Sequence, residues 1–402
     1  MPEAARGPVP APEAVRRVFV LRPDNLGDVV LFSGALRHLR TLYPNAEVDL
    51  CVKRYVGNLV EACPHVDRIV HWEDLHPKWP AWTRRVRGLA RLEAAVRLAG
   101  LRLRHRADVA LLPVRSPSPE MHATLAAIPG ALRFGVLGTG DNQSAEADRA
   151  AAGIYAARLE LGPERTWGHE LEAHRDFLRM LGARVELADV RPEFWTTAAD
   201  RRWAEMHVRR EPGTTLLALA PGVTAPAGKA YPAARYAEVL AAVPERRFAV
   251  VLLGGAPDAA ACAETAAALA GVPNVASVAS LAGRSSIREM VEAIRRCDAV
   301  LGPDSAPVHV GIALGKPTAC IVGGGHFGRF HPWGDAAIHR VVHLPMGCYG
   351  CGWACPYETM RCVQDIAPGA VARELRAALD AADGGGAHAA TGAADAARAG
   401  GA

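Results

Sequence analysis

The stretch LGPDSAPVHVGIALGKPTACIVGGG, Leu301 to Gly325, decides the fold. It reads as the end of a buried strand, a polar turn, a short helix, a second apolar strand and a glycine-rich loop. Asp304 and Ser305 fall where the helix begins. A helix N-terminus presents unpaired N–H groups and a partial positive charge, and this suits a bound phosphate. His309 follows Ser305 by four residues, one turn further along the same face. The pattern is one that holds the diphosphate of a nucleotide.

Working outward, the same alternation recurs on both sides. In the first half, Val18–Leu21 reads as a strand, RPDNLGD as a polar turn and about Val29–Leu42 as a helix stopped by Pro44. Ala46–Val52 follows as a strand, Lys53–Cys63 as a helix, and Asp67–His71, Ala107–Leu112 and the vicinity of Phe134 as strands. The pattern restarts after a candidate linker and helix, Phe194–Val208, broken at Glu211-Pro212-Gly213. Thr214–Ala220, Phe248–Leu253, Ala299–Leu301 and Thr318–Val322 are predicted strands. Ala233–Val243, Cys262–Ala270 and Ser286–Arg296 are predicted helices. Alternating strands and helices make a parallel sheet covered on both faces, so the fold class is α/β with two similar units. Ligands in such units sit at the carboxyl ends of the strands, and two units facing each other leave a cleft.

Composition narrows the function. The chain has 402 residues, enough for two domains, with 50% hydrophobic residues and a net charge of only +4. That charge gives no reason to expect nucleic-acid binding. No apolar run reaches membrane-spanning length, and MPEAARGPVPAPEAVRR lacks the apolar core of a secretory signal. Nine cysteines without an export signal point to a reducing cytoplasm. The expected layout is a disordered lead-in over 1–16, domains over 17–200 and 201–382, and a disordered low-complexity tail over 383–402.

Asn25-Leu26-Gly27-Asp28 joins the first strand to its helix. Gly27 lets the backbone turn sharply there. Asp28 reads either as a helix cap or as a general base, ionised at a helix N-terminus at the strand's carboxyl edge. GxGxxG is absent after this strand, which argues against a nicotinamide or flavin enzyme.

RPDNLGDVVLFSGALRHLRTLYPNAEVDL resembles the opening of glycosyltransferase family 9, the heptosyltransferases, with its Gly-Asp after the first strand and Tyr-Pro-x-Ala before the second. Leu301–Gly325 resembles that family's Asp-Ser/Thr-Gly-x-x-His-x-x-x-Ala-x-Gly-x-Pro motif. The resemblance runs in order from roughly Val18 to Asp365. It implies a GT-B fold: two Rossmann-like domains with parallel sheets facing a central cleft, the acceptor in the first domain and the nucleotide sugar in the second. It implies an inverting, metal-independent transfer of heptose or a related sugar to a glycan or glycolipid hydroxyl, with no catalytic cofactor. Asp28 matches the proposed base. Lys229, Asp258, Asp304, Ser305, Ala306 and His309 match donor-binding positions. Taken singly, Lys229 also reads as a surface lysine, Asp304 as a cap and His309 as a structural histidine. The sequence departs from the family at Ala306, commonly glycine, and at Asp258, commonly glutamate, which puts ADP-heptose itself in question. Asn25, Gly27, Gly324 and His326 are candidates for the mouth of the site, together with Arg329 and His331; Gly323–Gly325 reads equally as a plain surface turn.

Two features stand apart. Cys348, Cys351, Cys355 and Cys362 read either as ligands of a structural zinc or iron ion or as reduced thiols packing a small loop. The family often carries a similar cluster, with a histidine where this chain has Thr359. Over 84–106, arginines alternate with apolar residues; this reads either as a basic helix lying on an anionic membrane surface or as an ordinary solvated helix face. The expected location is cytoplasmic, at the inner face of the membrane. The alternative functions are another GT-B activity, a sugar-nucleotide epimerase or hydrolase, or a non-catalytic nucleotide-binding subunit.

Overall fold

The computed structural model describes residues 11–76, 99–100, 105–137, 150–161, 168–222 and 227–399. The chain divides into two compact units, Met1–Trp195 and Thr196–Ala402.

The first unit carries a parallel sheet of six strands: β1 (Arg17–Leu21), β2 (Glu47–Val52), β3 (Arg68–His71), β4 (Val109–Leu112), β5 (Leu132–Leu137) and β6 (Ala157–Glu160). Their order is β3-β2-β1-β4-β5-β6. The central strands β1 and β4 are nearly continuous apolar runs because helices cover both faces, while β2 is buried after Glu47 but includes the charged Asp49. Val18 pairs with Val48 on one side and Val109 on the other. The chain leaves β1 for one side of the sheet and later returns to the other, so the strand order reverses at β1/β4. A doubly wound sheet opens its ligand crevice at such a point, beyond the carboxyl ends.

The second unit repeats the arrangement. Its strands are β7 (Thr215–Leu219), β8 (Phe248–Leu252), β9 (Val275–Ser280), β10 (Ala299–Pro303), β11 (Thr318–Ile321) and β12 (His339–Val342), in the order β12-β11-β10-β7-β8-β9. Numbered from its own first strand, the second sheet has the same order as the first, and its reversal lies at β7/β10. Its core unites Leu217, Leu219, Phe248, Val250 and Leu301 with Tyr236 and Leu240 of the helix Ala233–Ala241 and with Val371 and Leu375 of the final helix. Both sheets are those of the GT-B fold.

Several boundaries differ from expectation. The first helix begins at Leu26, three residues early, because Asn25 is already its extended N-cap residue. Gly27 therefore lies inside the first turn and is not among the glycines with left-handed backbone. Lys53–Cys63 is not one helix: a 3-10 turn over Arg54–Val56 and a single helical turn over Gly57–Val60 fill it. Strands β6, β9 and β12 lie where the sequence pattern predicts none. The final helix, Pro368–Ala399, continues past Asp383 through an alanine-rich segment. Of the arginine stretch, Arg84–Arg97, Arg102 and Arg104 lie outside the described residues. No helix among the described residues is long and apolar enough to cross a membrane.

Candidate active site

In the second unit the site is built at the β7/β10 reversal. Beyond β10 the chain turns at Asp304, and Ser305 takes the extended N-cap position of the helix Ala306–Ala313. Asp304 is therefore not the cap. Ser305 makes no side-chain capping bond, and its buried hydroxyl has no hydrogen-bond partner among the described residues. Pro307, in the first turn, has no N–H to offer. The helix start thus presents the Ser305 hydroxyl and the Ala306 N–H.

Asp304 is turned inward, where it gathers the neighbouring cations and rings. Its Oδ1 lies 3.3 Å from Nε2 of His309 and 3.3 Å from Nε2 of His331, and its Oδ2 lies 3.9 Å from Nζ of Lys229. Burial works against its ionisation. The bonds from His309 and His331 and the charge of Lys229 outweigh that and hold the carboxyl well below its usual range. The His309 and His331 rings stack face to face, with centroids 4.6 Å apart and planes 6° from parallel. On its other edge His309 meets Trp333, whose indole N–H donates to Nδ1 across 3.1 Å. An indole N–H can only donate, so Nδ1 accepts, and the proton of the neutral ring stands on Nε2, facing Asp304. Burial, aided by His331, lowers the His309 pKa to about 4, so the ring is neutral at physiological pH.

Asp304, His309 and His331 are a His/Asp group close enough to share a metal ion. Their protonation does not fit that use. The Nε2 lone pair of His309 that an ion would need is occupied by the proton that Trp333 places there, so the three read as a hydrogen-bonded cluster. The expected cysteine ligands take no part in this group. Among the described residues the cysteine sulfurs form no comparable group. Cys362 is buried while Cys348, Cys351 and Cys355 are half-exposed.

Lys229 ends a 3-10 turn over Ala227–Lys229. Its ammonium stands 4.6 Å from the centre of the Trp353 ring. Asp258 lies beyond β8, where Oδ2 accepts the Gly255 N–H at 2.8 Å. It is wedged against two glycines: a Cβ on Gly222 would stand 2.3 Å from its Oδ1, and one on Gly254 2.6 Å from its own Cβ. Gly323–Gly325 are close to neighbours, but those neighbours belong to the chain. A Cβ on Gly324 would meet the Tyr349 ring at 2.2 Å, and one on Gly325 the Trp353 ring at 2.3 Å. Gly324 is thus covered by the cysteine segment and does not line an open mouth. His326 packs edge-on against Trp353 and Phe330.

In the first unit, Asp28 is the third residue of its helix, so the cap reading gives way to a first-turn carboxylate. Asn25 Oδ1 accepts from Lys53 Nζ at 2.8 Å. Burial first, then the Asp28 and Asp24 charges, push the Tyr55 phenol up, so Tyr55 is a neighbour of this turn. Behind the loop lies an ionic cluster that the sequence did not announce. Arg22 is 1% exposed, and its Nη2 donates to the Asp28 carbonyl at 3.3 Å and to Glu170 Oε1 at 3.2 Å. Its Nη1 donates to the Pro113 carbonyl beyond β4. His174 Nε2 and Arg115 Nη1 lie 3.5 Å and 3.8 Å from Glu170. One buried guanidinium therefore ties the ends of β1 and β4 to the turn that carries Asp28.

Comparison with known proteins agrees with this architecture. The family model of glycosyltransferase family 9 (heptosyltransferase) matches residues 141–351, more than half of the chain. This chain belongs to glycosyltransferase family 9. Lipooligosaccharide heptosyltransferase 2 of Campylobacter jejuni is 26% identical over 41% of this chain and 51% of its own length, so the match spans about half of that relative. Lipopolysaccharide heptosyltransferase 2 of Escherichia coli K12 is 24% identical over 90% of this chain and 98% of its own. The crystal structure of a glycosyl transferase family 9 protein from Veillonella parvula superimposes with a TM-score of 0.65 at 16% identity, over 92% of this chain and 98% of that one, and shows the shared fold.

Proposed function

We propose that this protein is an inverting, metal-independent glycosyltransferase. It would move a heptose or related sugar from a nucleoside-diphosphate donor to a hydroxyl of a glycan or glycolipid. The observation that carries the reading is the group at the β7/β10 reversal. Lys229 brings a cation, His309 a neutral ring, and the helix start an unpartnered Ser305 hydroxyl and the Ala306 N–H. A departing nucleoside diphosphate gains negative charge, and preorganised donors and cations stabilise it without a metal. Asp304 fixes the positions of Lys229 and His309 and is itself too acidic to act as a proton carrier. Asp28 is the base: it takes the acceptor hydroxyl's proton while that oxygen attacks the anomeric carbon opposite the leaving group, which inverts the centre. Asp258 is assigned to the donor ribose. Its shorter side chain and the Ala306 methyl tune the site toward a donor that differs from ADP-heptose in sugar or base. The named relatives support lipopolysaccharide or lipooligosaccharide as the acceptor class, and a cytoplasmic location at the membrane's inner face goes with it.

The cysteine segment is assigned a structural zinc or iron ion, outside the chemistry. The four cysteines fall within one fifteen-residue segment, Cys348 to Cys362. Cys362 Sγ also accepts the Gly324 N–H at 3.4 Å, the kind of bond that supports a ligating thiolate.

The test is nucleoside-diphosphate release from a panel of nucleotide sugars, with and without cell-envelope glycolipid. Acceptor-dependent release abolished by Asp28→Asn supports the proposal. Release that needs no acceptor points to a hydrolase, and nucleotide binding without turnover to a binding subunit.

A further inference from the structure

The cysteine segment is built onto the donor-side lysine from two directions. Gly350 and Gly352 donate their N–H groups to the carbonyls of Gly324 and Gly325, at 2.9 and 3.1 Å, so the segment lies as a cover along the loop after β11. This cover carries Trp353 between Cys351 and Cys355. Trp353 is the non-glycine residue with left-handed backbone among the described residues, at φ 67°. A large side chain held in that conformation requires surroundings that over-determine it. They do: the ring fills the space left by Gly323 and Gly325, whose Cβ atoms would stand 2.9 and 2.3 Å from it. His326 closes its edge at 79°. Its face meets the Lys229 ammonium at 4.6 Å. From the other direction, Met360 of the same segment packs on Gly228, where a Cβ would stand 2.8 Å from Met360 Cγ, immediately before Lys229.

Resting on the reading that Lys229 meets the donor diphosphate, we propose that Trp353 is the positioning residue for Lys229. The cysteine segment is the buttress that presents this ring. A lysine ammonium is a mobile point charge on a flexible stem. Asp304 alone, at 3.9 Å, fixes its distance from one side only. The indole face supplies the second constraint: it attracts the cation, keeps water off one side and leaves the remaining N–H directions for an anion. This chain's activity would then depend on the segment through one aromatic ring, although none of its thiols takes part in the reaction.

The experiment is a double-mutant cycle on the full chain as purified, with ADP and UDP as probes and binding read by calorimetry. Variants are Lys229→Met, Trp353→Leu, Trp353→Phe and Lys229→Met/Trp353→Leu. Expected results are a loss of diphosphate affinity of about 5- to 30-fold in Trp353→Leu, a smaller loss in Trp353→Phe, and no further loss when Trp353→Leu is added to Lys229→Met. In turnover, Trp353→Leu raises the donor KM more than it lowers kcat. Independent, additive losses, or unchanged affinity in a folded Trp353→Leu or Trp353→Phe, overturn the proposal. If Trp353→Leu fails to fold, Trp353→Phe in both Lys229 backgrounds decides. If Lys229→Met itself leaves the affinity of both probes unchanged, the donor-site reading fails instead, so the two failures are distinguishable.

Discussion

Trp333 donates its indole N–H to Nδ1 of His309 at 3.1 Å, and that single bond decides which nitrogen of the imidazole carries the proton. Through it a residue 24 positions away in the chain sets the face that His309 turns to Asp304. Trp333→Phe keeps the ring's bulk and removes the donor. Donor affinity should fall about tenfold, the worth of one hydrogen bond in a buried setting, and nitrogen NMR of labelled histidine should show His309 as a tautomer mixture. An unchanged single tautomer would refute the assignment.

The same cluster sets an acid limit on stability. Folding lowers the His309 pKa from 6.5 to about 4, so between these values the unfolded chain binds a proton that the folded chain refuses. Stability therefore falls as the pH drops through that window. Asp304 acts in the same direction at lower pH. Its folded pKa is depressed, so its contribution is present above the unfolded value of 3.8 and is lost as the pH falls toward the folded one. His122 also titrates near 4, so the comparison must be made between variants. Urea unfolding at pH 7 and pH 5 should show a smaller pH difference for His309→Asn, whose side-chain oxygen can still accept from Trp333.

Asp28→Asn should bind nucleotide as the wild type does while turnover falls by about 100- to 10,000-fold, the range of a lost general base. Paired calorimetry and product release check this. Equal loss of binding and turnover would move Asp28 out of the base role.

Arg22 faces a different demand. It is buried with Glu170, so Arg22→Met strands a carboxylate without its main partner and should destabilise the chain by about 3–5 kcal/mol. Glu170→Gln in the Arg22→Met background should recover part of that, because no charge is then left behind. Chemical denaturation of the two variants reads both effects.

Metal analysis of the purified chain should find about one zinc or iron per chain if the thiols hold an ion. Cys351→Ser and Cys362→Ser should lower that occupancy, while Cys262→Ser, in the helix Ala259–Leu269, should not. Equal metal content in all three would dismiss the ion.

Much of this was legible in the chain. Apolar runs such as Val18–Leu21 and Thr318–Ile321 are buried on both faces and cannot be mistaken for amphipathic segments. Ser305 and His309 lie one helical turn apart, so their shared face follows from helix geometry. What stayed hidden depends on contacts between distant segments. Strands β6, β9 and β12 are short or rich in small residues and carry little periodicity of their own. In the sequence His331 reads only as a residue of the mouth and nothing marks Trp333, because only the loop after β11 carries them back to Asp304 and His309. Arg22 looks like any polar residue after a strand until the helix Glu170–Met180 places Glu170 against it. Nothing local to Trp353 predicts that the Lys229 ammonium lies over its ring.

The matching strand orders have a consequence for how the chain is made. Among the described residues, every ladder of the first sheet closes between strands that end by Glu160, and every ladder of the second begins at Thr215 or later. During synthesis, the first half can complete all of its pairings before any strand of the second has emerged. Among the described residues, no strand of the first sheet has to wait, exposed, for a partner encoded further downstream.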